Sequence, residues 1–175
     1  IKNSVNYGDT VDFAIGVKGT AYKGDKLVTY YFIKDALDEG FDAYDTTSVE
    51  VKIDGELLRI DEGKYSIEYG TDGKSFVICI PVLNTTARTE GEGYTYEPIY
   101  GANFNIEVTY SAKVNTDAEI AAGGNKNTAN YYVQTTDDFD PDIPYIPTPP
   151  TPEPPTVYPN EKVTRTYVYA LGMLK

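Results

Sequence analysis

Strict two-residue alternation over two long stretches limits this chain to a β fold more sharply than any other feature. From Thr10 to Val17, the residues Val11, Phe13, Ile15 and Val17 fall on one side and Asp12, Ala14 and Gly16 on the other. From Phe104 to Val114, a second apolar side is built by Phe104, Ile106, Val108, Tyr110, Ala112 and Val114. Successive side chains of a strand point to opposite faces, whereas a helix repeats every 3.6 residues. Further strands are expected over Leu27–Ile33, Ser48–Ile53, Tyr65–Tyr69, Ser75–Ile80 and Thr128–Gln134. Turn sequences separate them: Asn6-Tyr7-Gly8-Asp9, Asp38-Glu39-Gly40, Asp54-Gly55 and Thr71-Asp72-Gly73. About seven short strands punctuated in this way predict an all-β sandwich. Helical spacing is confined to one short turn over Thr116–Ala122, and the stretch Pro81–Ala102, with Gly91 and Gly93, reads as a long surface loop.

The character changes at Asp140. Asp140-Pro141-Asp142-Ile143-Pro144 runs into Ile146-Pro147-Thr148-Pro149-Pro150-Thr151-Pro152-Glu153-Pro154-Pro155. Proline lacks an amide donor and favours extended polyproline geometry, so this is a semi-rigid spacer. From Lys162 the text is strand-like again. The expected organisation is a sandwich domain over 1–139, a Pro-rich linker over 140–161, and the first strand of a following domain over 162–175. The chain is expected to be a piece of a longer protein.

Composition narrows the function classes. The 175 residues carry a formal charge of −12 and no histidine. Phosphate recognition needs clustered Lys and Arg, so nucleic acid and anionic membrane surfaces are poor partners. Without histidine, Ser-His-Asp and Cys-His catalysis cannot be assembled within this chain. The single Cys79 cannot form an internal disulfide, and in Phe76-Val77-Ile78-Cys79-Ile80 it reads as a small buried hydrophobe. No apolar run approaches the ~20 residues of a membrane-spanning helix.

Several pieces, in order, resemble the isopeptide-forming domains of Gram-positive backbone pilins and fimbrial adhesins. Lys2 precedes Gly8-Asp9-Thr10-Val11; Asp35-Ala36-Leu37-Asp38-Glu39-Gly40 matches an Asp-x-Leu-x-x-Gly element; Val108-Thr109-Tyr110-Ser111-Ala112 matches a Val-Thr-Tyr-x-Ala strand. Gly124-Asn125-Lys126-Asn127 then enters the last strand, and a Pro/Thr linker leads to Thr166-Tyr167-Val168-Tyr169 and a terminal Lys175. The resemblance implies an Ig-like, adhesin-type sandwich in an extracellular, cell-wall-anchored fibre. Its partners would be neighbouring domains or subunits. It further implies a self-made amide between Lys2 and Asn127, promoted by Asp35. Burial favours a neutral lysine amine and a protonated carboxylic acid, and folding supplies the proximity. Asn127 is preferred to Asn125 because Asn127, Ala129, Tyr131 and Val133 share the apolar strand face, whereas Asn125 lies earlier, in the turn text. The ordinary alternatives are a solvated terminal lysine, a turn-capping aspartate and a turn asparagine. Lys18 is a weaker lysine candidate.

Other features carry lesser readings. Thr136-Asp137-Asp138-Phe139-Asp140-Pro141-Asp142 is an acidic cluster whose spacing is not an EF-hand loop. A solvated turn is favoured there over a weak calcium site, and no cofactor is expected. In Val157-Tyr158-Pro159-Asn160 an asparagine stands where the pilin polymerisation motif has its lysine, so no sortase-acceptor lysine is assigned. Lys175 is either the cross-linking lysine of the next domain or an ordinary strand lysine. Asn84-Thr85-Thr86 matches a glycosylation sequon, read as coincidence. Tyr94, Tyr96 and Tyr100 either pack the long loop or offer an aromatic platform to host protein or glycan. The leading expectation is a structural fibre module that performs no turnover chemistry. The alternatives are a binding module without a cross-link and an accessory domain of a carbohydrate-active enzyme.

Overall fold

The computed structural model describes residues 4–87, 94–119, 124–136 and 160–168. Thirteen strands are present among them. They are β1 (Ser4–Val5), β2 (Thr10–Thr20), β3 (Tyr22–Lys23), β4 (Lys26–Leu37), β5 (Glu50–Ile53), β6 (Glu56–Leu57) and β7 (Ser66–Tyr69). The remainder are β8 (Ser75–Pro81), β9 (Leu83–Ala87), β10 (Tyr94–Pro98), β11 (Asn103–Lys113), β12 (Asn125–Thr136) and β13 (Asn160–Val168).

They form a two-layer sandwich. One sheet runs β1-β13-β12-β4-β8-β7, with β3 attached to β4, and the other runs β2-β11-β5-β6. The two alternating stretches meet as neighbours: β2 and β11 pair antiparallel from Thr10↔Lys113 to Thr20↔Asn103. Their apolar sides, with Ile15, Val17, Phe104, Ile106 and Val108 buried, face Tyr31, Ile33, Phe76, Ile78 and Ile80 of the opposite sheet. Tyr31 meets Phe104 edge-on across the layers, with ring centroids 5.7 Å apart. The Asp54-Gly55 turn closes β5 onto β6 with both residues at positive φ, 49° and 86°, as a two-residue hairpin of matching twist requires.

Three expectations are revised. Pro81–Ala102 is not a plain loop: β9 and β10 pair antiparallel from Leu83↔Pro98 to Ala87↔Tyr94. The β-branched and aromatic residues Thr85, Thr86, Thr95 and Tyr96 suit a strand ladder, and the glycines that suggested a loop lie between the two strands. Within Thr116–Ala122, the described Thr116 and Asp117 form a turn and not a helix. The strand expected from Lys162 spans Asn160–Val168. It pairs within this sandwich, antiparallel to β12 and parallel to β1 (Ser4↔Tyr167, Val5↔Val168). An open edge of β12 offers unpaired backbone groups, and β13 satisfies them.

Candidate functional site

The site grows from one acid in the middle of an apolar layer. Asp35 lies on β4 between the inward-facing Ile33 and Leu37, so the period of two sends its carboxylate into the sandwich. Its exposure is 0%. Two phenols meet it there. Tyr44 donates to Oδ1 at 2.5 Å and Tyr110 donates to Oδ2 at 2.7 Å. Tyr110 comes from β11 on the facing sheet. Tyr44 comes from the segment between β4 and β5, which is pinned by Asp42 N–H to Lys113 O, Tyr44 N–H to Gly73 O and Asp45 N–H to Ser111 O. An aromatic shell closes the pocket: Tyr110 stacks on Phe13 (5.3 Å) and meets Phe76 (5.2 Å) and Tyr44 (5.4 Å) edge-on.

Burial pushes the Asp35 carboxyl up to about 6, against the opposing effect of hydrogen bonds from Tyr44, Tyr110 and Asn127. Burial, reinforced by the neighbouring Asp35 charge, raises both phenols, so each keeps its proton and acts as a donor.

Asn127 is brought to this acid. Ala129 is the cross-strand partner of Asp35, and Asn127 stands two residues along the same face, opposite Leu37. It is 4% exposed, and its Nδ2 donates to the Tyr110 hydroxyl at 2.8 Å. A continuous chain therefore runs from the Asn127 amide through one phenol oxygen to the Asp35 carboxylate. Ala129, Tyr131 and Val133 pack against the core on the same side.

Asn125 does different work. Its Oδ1 accepts from Glu119 N–H at 2.8 Å and its Nδ2 donates to Glu119 O at 3.3 Å, clasping the Glu119 backbone to the start of β12. Gly40 makes room for it: a Cβ there would stand 2.1 Å from Asn125 Oδ1 and 3.0 Å from Ala118 Cα. Lys18 is exposed on the outer side of β2, where its Nζ donates to Asn105 Oδ1, and the fold keeps it away from Asp35. Lys2 lies outside the described residues, as do Asp137–Asp142 of the acidic cluster and Lys175. Among the described residues no group of carboxylates and thiols could hold a metal ion.

Two residues of this site were hidden or half-hidden in the sequence. Tyr44 sits in a stretch without periodicity and carries no signal. Tyr110 was visible only as part of the Val108-Thr109-Tyr110 strand text. A third placement comes from the backbone register alone: Lys162 on β13 is the partner of Ala129, which on its other side pairs with Asp35. The three positions form one row across the sheet. Elsewhere, Tyr100 packs on Phe104 with centroids 5.4 Å apart, and Tyr96 is half-buried on β10. Cys79 is buried, and burial pushes its thiol up to about 12.

No protein-family model matches the chain, and no curated protein matches it in sequence. Solved structures do match in three dimensions. The group B streptococcus pilus 2b backbone protein is 20% identical with a TM-score of 0.62, covering 95% of this chain and 55% of its own. The fold is that of the Gram-positive backbone pilins. The pilus backbone RrgB from Streptococcus pneumoniae is also 20% identical, with a TM-score of 0.55 over 75% of this chain and 27% of its own. The Corynebacterium diphtheriae major pilin SpaA, described as having a modular assembly with stabilising isopeptide bonds, is 13% identical with a TM-score of 0.50, over 81% of this chain and 29% of its own. This pilin-fold chain thus spans about half the length of the first of them, and about a quarter of the other two. No helix among the described residues is long and apolar enough to cross a membrane.

Proposed function

We propose that this chain is a structural module of a Gram-positive cell-surface pilus or adhesin, stiffened by a self-formed amide between Lys2 and Asn127 that Asp35 promotes. The single observation that carries the reading is a fully buried carboxylic acid held one hydroxyl away from a buried asparagine amide. A buried acid whose described partners are two phenols and an amide, none of them a cation, is costly unless it has a task. With its carboxyl raised to about 6, Asp35 readily holds the proton that polarises the Asn127 carbonyl. The neutral lysine amine attacks Cγ, ammonia leaves, and the new amide ties the start of the sandwich to its last long strand. By analogy with a disulfide closing a ~100-residue loop, the cross-link contributes about 4–5 kcal/mol through the unfolded state.

Lys162 is the second reading for the donor, favoured by its place in the row with Ala129 and Asp35. In this reading the Pro-rich stretch is a spacer, and Lys175 would find its own partner in a following domain. Neighbouring domains and subunits of a wall-anchored, extracellular fibre are the partners in this reading, and no turnover chemistry is assigned.

Intact-mass spectrometry tests it. The folded chain is expected to weigh about 17 Da less than its sequence, the mass of one ammonia. Asp35→Ala should restore the full mass. Peptide mapping should recover a branched fragment joining Asn127 to Lys2, or to Lys162 under the second reading. A full-mass wild-type chain would end the proposal.

A further inference from the structure

The cross-linking reaction has to move two protons: the attacking amine must lose one and the departing amide nitrogen must gain one. Tyr110 bridges the acid and the leaving nitrogen. Its oxygen is 2.7 Å from Asp35 Oδ2 and 2.8 Å from Asn127 Nδ2, the atom that becomes ammonia. Tyr44 also bonds Asp35, but through the other carboxylate oxygen, Oδ1.

We propose that Tyr110 is a catalytic residue of the cross-link, relaying a proton from Asp35 to the leaving nitrogen of Asn127. This rests on the cross-link reading above and adds a residue to it. The steps balance without any outside reagent. The lysine nitrogen bonds to Asn127 Cγ while Asp35 lends its proton to Asn127 Oδ1, leaving a carboxylate on Asp35 and a tetrahedral centre. The carboxylate takes a proton from the new ammonium nitrogen. That proton moves from Oδ2 to the Tyr110 oxygen as Tyr110 passes its own proton to Nδ2. The Cγ–Nδ2 bond breaks with its electron pair on nitrogen, ammonia departs, and the Oδ1 proton returns to Asp35 as the carbonyl re-forms. In the resting arrangement the hydrogen bonds point the other way, from Nδ2 to Tyr110 and from Tyr110 to Asp35. The amide nitrogen has no basic lone pair until the tetrahedral centre forms. Reversal of the chain at that moment ties proton delivery to the committed intermediate.

The pair of phenols supplies the control. Tyr110→Phe removes the relay and keeps the ring that packs on Phe13 and Phe76. Tyr44→Phe removes an equally direct bond to Asp35 and leaves the relay intact. Freshly purified chains would be incubated across pH 5–9 and the ammonia loss followed by intact mass, with folding checked by thermal melting. A positioned general acid is worth about 100-fold or more in rate, so Tyr110→Phe should slow closure by at least that factor at every pH. Tyr44→Phe should shift the pH profile and retain its ceiling. If Tyr110→Phe does not fold, site-specific fluorotyrosine at position 110 should give a rate that tracks ring acidity, and the same replacement at position 44 should not. Equal slowing by the two Phe variants, or none with Tyr110→Phe, overturns the relay while leaving the cross-link standing. A wild-type chain at full mass overturns both.

Discussion

Asn125 and Asn127 are the same residue type, two positions apart on one strand, with the same parity and nearly the same burial. Their neighbourhoods separate them. Asn125 spends its amide on the backbone of Glu119. Asn127 faces a phenol and an acid inside an aromatic shell. Burial of an asparagine therefore says little by itself. What separates the two is the kind of partner: backbone groups for Asn125, and a phenol whose proton can move for Asn127.

The largest expected effect contrasts the two directly. Asn127→Ala should abolish the ammonia loss and lower stability by the whole cross-link contribution, about 4–5 kcal/mol. Asn125→Ala should leave the mass deficit in place and cost only the clasp, about 1–3 kcal/mol. Intact mass and denaturant midpoints read both. An Asn125→Ala chain that keeps its full mass would reverse the assignment.

The next effect belongs to the acid alone. In a chain prevented from cross-linking by Lys2→Ala with Lys162→Ala, Asp35 has a native value of about 6 against an ordinary 3.8. The native state binds this proton more tightly, so the contribution is full below about pH 4 and is lost as pH rises through about 6. The change is on the order of 3 kcal/mol. Unfolding followed by urea at pH 4, 5, 6 and 7 should show it, and Asp35→Asn should flatten the profile.

The smallest effect probes the clasp from its other side. Gly40→Ala places a methyl group against Asn125 Oδ1 and the Ala118 backbone, and should cost about 1–3 kcal/mol through overpacking without changing the cross-linked mass.

The sandwich was legible because alternation fixes faces, and β2 and β11 form almost where it placed them. Asn127 was legible as a position on an apolar strand face, and Asp35 only through the family resemblance. Tyr44 was not, because its segment is held by backbone bonds to Lys113, Gly73 and Ser111 that no local pattern encodes. The β9–β10 hairpin was obscured because its glycines read as loop while its threonines and tyrosines, considered pairwise, suit strands. The partner of β13 was likewise invisible: a strand after a proline-rich stretch can add to any open edge, and the choice is tertiary.

The parallel pairing of β1 with β13 has a mechanical consequence. Tension entering before Ser4 and leaving after Val168 pulls these neighbours along their own axes in opposite directions. Their hydrogen bonds are then loaded in shear, together, and not peeled one at a time. A fibre built from such units would resist a pull at its first contact point before any deeper bond is strained.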